Sequence, residues 1–386
     1  LFGFPALAGA WEREILPARL DPYLPAWLDT LFEESELRWL GVGAERTTFA
    51  FPGDFDLFAP ESSTDPGASG APLTALETAA LSELARSPRG LELGELAERL
   101  DAPTGEVSDV LWRLAWGGRA VNDSVRALRQ GALADFRAVE LEAAAAGARP
   151  RSRRGAFRRW SASRGFLGRW HVVARGAADR DPLDAEERNR ERVRVLADRW
   201  GLLFREVLAF ELPALSWGRL ARTLRALELG GELVAGHFVT GVRGLQFATP
   251  ALARELAAGL PDGGLWWHAA TDPASLCGVD LPELKAALPR RVAGTWLVWR
   301  GDELAATIRR GGREIDFALA SSDPALSALV EPLRVALTRG FAPERSIEVE
   351  SIGGEPADRS AYRAAFAGFA ATQETWGLRL RRSYAG

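Results

Sequence analysis

Twice in this chain an amphipathic helical stretch stops at a pair of glycines and gives way at once to a short strand. The first covers residues 104–117, ends at Gly117-Gly118 and leads into Ala120-Val121-Asn122. The second begins after Ser216, ends at Gly230-Gly231 and leads into Glu232–Val239, with Gly241–Gly244 as a turn and Leu245-Gln246-Phe247-Ala248 as the return strand. Glycine adopts the left-handed conformation that closes a helix, and a strand leaving such a stop needs a partner that returns to it. Ahead of the first junction, Leu73, Leu76, Ala80, Leu81 and Leu84 predict a helix over 73–86, and Leu93, Leu96, Ala97 and Leu100 a helix over 92–100. Helix, helix, turn, helix and then a strand pair is the order of a winged helix. Thr104 reads as the N-cap of the third helix.

The rest of the chain divides around these units. Residues 1–60 carry helical patches at Ala6–Ile15 and Leu24–Glu34 and alternating strands at Leu37–Leu40 and Thr48–Phe51, a further winged-helix outline. Residues 61–72, rich in Ser, Gly, Asp and Pro, read as a linker, 73–142 as a winged helix, 143–183 as an Arg-rich linker entering a barrel strand, and 184–258 as another winged helix opened by one long helix over 184–210. From 259 to 386 the pattern turns to short Gly-separated strands at Leu265–Ala269, Thr295–Trp299, Glu303–Ile308 and Glu314–Ala318. A helix at Ala325–Arg339, a strand at Ser346–Ser351, a helix at Ala361–Ala371 and a strand at Gly377–Arg382 follow. The expected fold is α+β: tandem winged-helix domains followed by a small β-barrel with flanking helices.

Charge is segregated along this framework. Between Glu142 and Asp179 there are nine arginines and no acid; the whole chain is −4, so everything outside that interval sums to −13. Phe157, Trp160, Phe166 and Trp170 interleave with those arginines. Guanidinium forks suit phosphate oxygens and flat rings stack on unpaired bases, so Arg151, Arg153, Arg154, Arg158, Arg159 and Trp160 are candidates for a single-strand track. The other reading is a solvated linker, with Trp170 buried in a strand. In the helix after Ser216, Arg219, Arg222 and Arg225 recur at three-residue spacing partly opposite Leu220, Leu224 and Leu227. That is a cationic polar face on a recognition-type helix, and Arg243 adds a charge at the wing tip. Trp112 and Trp116 share one face of the 104–117 helix, as core residues or as base-stacking ones.

Several chemistries are excluded. Lys285 is the only lysine beside forty-seven arginines and lies in a helical stretch, so there is no phosphate-binding Gly-rich Lys loop. One cysteine, Cys277, rules out an internal disulfide framework, and His171, His237 and His268 lie too far apart in sequence for a metal-ligand motif. No secretory signal and no apolar run of membrane length is present, which places the chain in the cytoplasm without a membrane partner. The absence of any methionine suggests a piece of a longer product. No residue is singled out as catalytic.

The stretch Ser108–Ser124 with Ala127-Leu128-Arg129 resembles the winged-helix segment of the Lhr (large helicase-related) family. In the same order come Gly168-Arg169-Trp170, Arg199–Glu206, Gly236–Gly241, Gly244–Ala248 and Ala269–Gly278, which are also similar to that family. The resemblance covers roughly 75–386 and implies a bacterial parent whose N-terminal motor uses ATP and Mg to move 3′-to-5′ on single-stranded DNA. This chain would be its C-terminal part, with no cofactor of its own. The implied partners are single-stranded DNA or an RNA–DNA hybrid, the helicase core and further copies of the chain. The family's C-terminal extension is similar to the winged-helix alkylpurine DNA glycosylases, which makes a uracil or alkylated-base glycosylase the alternative. Those enzymes' short glutamine pair is missing, since Gln130, Gln246 and Gln373 stand apart. A pure protein-interaction scaffold is the third reading.

Overall fold

A computed structural model describes residues 1–58, 72–136, 168–173, 181–259 and 263–383. The chain forms two compact units, one from residues 1–9, 26–196 and 210–224, the other from 10–25, 197–209 and 225–386.

In the first unit, β1 (Ala6–Leu7), β2 (Arg38–Gly41) and β3 (Arg46–Ala50) form a sheet in the order β1-β3-β2. Helix α1 (Pro25–Glu34) precedes the hairpin and the short α2 (Phe55–Phe58) follows it. The helix expected over Ala6–Ile15 is absent as such. Ala6 and Leu7 pair with Thr47 and Arg46, and a single wide helical turn holds Trp11–Ile15, which belongs to the second unit. Strand pairing satisfies backbone groups that an isolated turn would leave open, and it overrides the local preference.

The next three helices fall where the apolar spacing puts them: α3 (Ala75–Ala85), α4 (Leu93–Leu100) and α5 (Thr104–Trp116). Thr74 caps α3 reciprocally: its hydroxyl accepts from the Glu77 amide at 3.2 Å and the Glu77 carboxylate accepts from the Thr74 amide at 2.8 Å. Pro103, not Thr104, holds the N-cap position of α5. Strand β4 (Ala120–Asn122) and helix α6 (Val125–Leu133) follow, and β5 (Trp170–Val172) then pairs antiparallel with β4 while Trp170 bridges Leu91. The strand expected to lead into a barrel is therefore the antiparallel partner of β4. The order Leu91, β5, β4 repeats that of β1-β3-β2.

Trp39 and Trp170 are buried at 0% and 5% exposure, and Trp112 and Trp116 stack on each other at 5.4 Å. Trp39 stacks on Trp112 at 5.8 Å, and Trp170 meets Trp112 edge-on at 5.5 Å. Each such ring pair adds about 0.5–1.5 kcal/mol to the burial itself. Gly41 is required by this packing, because a Cβ there would lie 2.0 Å from the Ala115 carbonyl oxygen.

Helix α7 (Pro182–Trp200) is shorter than the predicted 184–210, and α8 (Trp217–Leu229) comes later in the chain. Gly201, at φ 67°, ends α7, and the next two residues become β6 (Leu202–Leu203). In the second unit β6 joins β7 (Val234–Gly236) and β8 (Gln246–Ala248) in the order β6-β8-β7. Helix α9 (Pro250–Ala258) follows.

Then comes a six-stranded sheet of β9 (Leu265–Ala269), β10 (Trp296–Arg300), β11 (Glu303–Arg309), β12 (Glu314–Phe317), β14 (Ser351–Ile352) and β15 (Glu355–Pro356), in the order β15-β14-β12-β11-β10-β9. Among the described residues β9 and β15 do not pair, so the sheet is open where a closed barrel was expected. A three-stranded sheet, β13 (Ile347–Val349), β17 (Gly377–Arg381) and β16 (Ala370–Glu374), and helices α10 (Pro282–Ala287), α11 (Leu326–Leu329) and α12 (Glu331–Thr338) complete the unit. Trp296, Ile308, Leu333, Val349 and Leu380 meet in its core. The predicted helix at Ala361–Ala371 is a tight 3-10 helix at Ala361–Phe366 followed by β16, with Gly368 between them.

Candidate nucleic-acid interface

Helix α8 begins with the Ser216 carbonyl accepting from the amides of Arg219 and Leu220, both at 3.1 Å, and ends at Gly230-Gly231 with Gly231 at φ 79°. Leu220, Leu224 and Leu227 are buried at 0–3% exposure, as is Thr223. Arg219, Arg222 and Arg225 are exposed, so the apolar stripe and the cationic face separate as the spacing predicts. Arg225 pairs with Glu228 one turn on, at 2.7 Å. Such a surface pair is weak and can be exchanged for a phosphate.

The wing over residues 237–245 is fixed by a residue that sequence reasoning passed over. Gln246 is fully buried; its Oε1 accepts from the amides of Phe238 at 2.9 Å and Val239 at 2.8 Å, and its Nε2 donates to the Val239 carbonyl at 2.9 Å. Three backbone groups of the loop are thereby satisfied by one side chain. Gly241 and Gly244, at φ 85° and 88°, give the loop its turns, and Arg243 between them is exposed. The one polar residue in the apolar run Leu245-Gln246-Phe247-Ala248 was the available signal.

Helix α5, the third of α3–α5 and followed by the β4–β5 pair, presents different chemistry. Trp112 and Trp116 belong to the aromatic core, which settles the two readings of that face in favour of packing. Its exposed residues are Glu106, Asp109 and Arg113, and Arg113 is held by Glu77 at 2.8 Å.

Arg151, Arg153, Arg154, Arg158, Arg159 and Trp160 lie outside the described residues. In chain order they fall after α6 and before β5. The β4–β5 pair is held at its end by Asp123, which accepts from the Arg169 amide at 2.7 Å and faces His171 at 3.7 Å. Burial alone would raise the Asp123 pKa, but the nearby His171 ring and the hydrogen bond from the Arg169 amide bring it below the ordinary carboxylate value. Arg169 itself binds Glu95 at 2.8 Å and Glu92 at 3.2 Å and so ties the start of β5 to α4.

Two segments match known domain models, both described as winged-helix domains of the large helicase-related protein: residues 1–51 and residues 182–265. The chain is similar to Lhr proteins beyond these two segments. It is 28% identical to the Lhr helicase/uracil glycosylase of Escherichia coli, over 82% of this chain and 21% of that protein. It is also 28% identical to the Lhr helicase/probable uracil glycosylase of Mycolicibacterium smegmatis, over 99% of this chain and 26% of that protein. The chain thus spans about a quarter of the length of these curated relatives. In three dimensions it aligns with the Streptomyces sahachiroi DNA glycosylase AlkZ over 84% of each chain, at 18% identity and a TM-score of 0.47. No described helix is long and apolar enough to cross a membrane, and among the described residues no group of three His, Cys, Asp or Glu side chains is placed to hold a metal ion.

Proposed function

We propose that this chain is a DNA-binding module from the C-terminal part of an Lhr-type repair helicase whose ATP- and Mg-dependent motor lies elsewhere in the protein. Arg219, Arg222 and Arg225 on α8 and Arg243 on the wing grip the sugar-phosphate backbone of single-stranded DNA or an RNA–DNA hybrid. Such contacts position the protein without reading sequence. The single observation that carries this reading is the exposed arginine face of α8, set opposite a buried leucine stripe on the helix that winged helices present to nucleic acid. Arg151, Arg153, Arg154, Arg158, Arg159 and Trp160, between α6 and β5 in the chain, add sequence-independent affinity. The helicase core and further copies of the chain are the proposed protein partners.

Fluorescence anisotropy on a single strand, a duplex and a hybrid across a salt series tests this. Replacing Arg219, Arg222 and Arg225 by Ala should weaken binding to unrelated sequences alike and flatten the slope of log affinity against log salt by roughly 2, at about 0.7–0.9 per phosphate contact. Replacing Arg151, Arg153, Arg154, Arg158 and Arg159 should flatten it by roughly 4 on the same basis. A wild-type chain without salt-dependent binding would leave the interaction-scaffold reading standing. A second reading, a uracil DNA glycosylase, is favoured by the names of both curated relatives. Incubation with a uracil-containing strand followed by alkaline cleavage decides it.

A further inference from the structure

The second unit contains a cleft of about 410 Å³ that neither α8 nor its wing lines. Glu14 stands in its wall at 9% exposure. Its carboxylate is held only loosely, by the Gly294 amide and the Thr271 hydroxyl, both at 3.4 Å. Arg13 also lines the cleft; its guanidinium lies 5.9 Å from the Phe341 ring centroid, and its Nε is buried without a hydrogen-bond partner. A buried donor without an acceptor is costly enough to be rare, and one beside an open cleft marks a place where a ligand can supply the missing atom. Trp296 forms an apolar part of the wall.

The remaining charges decide what kind of ligand fits. Arg339 is committed to the protein: it donates to the Arg13 carbonyl at 2.9 Å and to the Ala342 carbonyl, and it pairs with Glu344 at 3.1 Å. Arg313 is neutralised by Glu350 at 3.0 Å and Glu348 at 3.7 Å. The lining therefore holds Arg13, Arg313 and Arg339 against Glu14, Glu344 and Glu348 and has no net charge. A phosphate would meet as many carboxylates as guanidinium groups here. A neutral, flat ligand with donors and acceptors along one edge meets a carboxyl group, a free N–H and an apolar wall.

We propose that this cleft receives one nucleobase turned out of a nucleic-acid strand, with Glu14 and the Arg13 Nε–H hydrogen-bonding its edge and Trp296 in the wall beside it. Enzymes that act on a base take it from the stack into such a pocket. The inference rests on the nucleic-acid-binding reading above and gives it a second site, one that contacts a base where α8 contacts the backbone.

The experiment uses the full chain and a single strand carrying one 2-aminopurine, whose fluorescence rises when the base leaves its stacked neighbours. Binding of the wild-type chain should raise the signal several-fold. Ser346→Trp, which closes the cleft from a partly exposed position, and Glu14→Ala should abolish the rise, while anisotropy reports DNA affinity within about twofold of wild type, since phosphate contacts supply most of it. Titration with free uracil, cytosine and adenine, followed by amide NMR shifts at Gly294 and Gly311, reads the same cleft without DNA. If Glu14→Ala unfolds, Ser346→Trp alone carries the comparison. An unchanged 2-aminopurine signal in a folded Ser346→Trp chain that still binds DNA overturns the cleft assignment. Absence of any DNA binding by wild type overturns the backbone reading instead, and nucleobase shifts absent from Gly294 and Gly311 would then overturn this one too.

Discussion

Helices α5 and α8 occupy the same place in two winged-helix units, yet their outward faces have opposite character. On α8 every third residue from Arg219 to Arg225 is an exposed arginine; on α5 the corresponding surface carries Glu106 and Asp109, and its one arginine, Arg113, is tied to Glu77. Helix α1, at the same place in the first unit's small sheet, exposes Trp27 and Leu31, a third character. Topology alone therefore does not assign a nucleic-acid surface. Each of these helices buries one stripe, and what faces outward is set residue by residue. An acidic face repels phosphate, so α5 is a poor candidate for the contact proposed for α8; Arg151, Arg153, Arg154, Arg158 and Arg159, which come later in the chain, lie outside the described residues.

The comparison breaks first at Trp112. If α5 is a packing helix, Trp112→Ala removes a side chain that stacks on Trp39 and Trp116 and meets Trp170 edge-on, which should destabilise the fold by about 3–5 kcal/mol. Urea denaturation followed by tryptophan fluorescence measures this. A variant that melts like wild type but loses single-strand affinity would return Trp112 to base stacking and make α5 the working helix.

Gln246 tests the other side of the comparison. Replacing it by Leu strands two amides and a carbonyl of the wing, at about 1–3 kcal/mol for a buried group left unsatisfied. Hydrogen exchange at Phe238 and Val239 should accelerate, and DNA affinity should fall with no change in the arginines themselves. Unaltered exchange at those amides would mean that Gly241 and Gly244 hold the loop without help from Gln246.

The sequence was most informative where one period dominated. The leucines of α4 and α8 and the glycine stops at Gly117-Gly118 and Gly230-Gly231 fall as read, because helix spacing and left-handed closure are local properties. What escaped was non-local. Leu202 and Leu203 look like a continuation of α7 until β8 is there to pair with them, and Ala6 and Leu7 look helical until β3 is. The strand at Trp170 was legible, but its partner was not, since nearly fifty residues separate it from β4. Among the site residues, the arginine face of α8 could be read from spacing, whereas Gln246 and Glu14 matter through partners that no spacing reveals.

A charge graft sharpens the comparison with a smaller effect. Glu106→Arg with Asp109→Arg would give α5 the polarity of α8 while leaving its buried face untouched. Stability should stay within about 0.5 kcal/mol per exposed substitution. If charge alone separates the two helices, the salt slope of DNA binding should steepen by roughly 1.5, from two added phosphate contacts. An unchanged slope would mean that α5 cannot reach a strand bound elsewhere on the protein, and that the two helices differ in position as well as in charge.

The smallest expected effect concerns Glu14 and the pH dependence of folding. Burial, the largest influence, raises its pKa above the ordinary value of 4.5, against the lowering effect of the Gly294 amide, Arg339, Thr271 and Arg13. A carboxyl whose folded pKa lies above its unfolded one binds protons more tightly in the native state. Its stabilising contribution is therefore complete below the unfolded pKa and is lost as pH rises through the folded value. In Glu14→Gln that dependence disappears, so the difference in stability between variant and wild type should shift in the variant's favour as pH climbs from about 4 toward neutrality, across the range between the unfolded and the raised folded pKa. Denaturation midpoints measured at successive pH values check the sign. The opposite trend, with wild type gaining on the variant as pH rises, would mean that Arg339 and Arg13 outweigh burial and hold Glu14 ionised. The carboxyl would then be an anchor for the residues around it and no longer the loosely held group that a nucleobase edge requires.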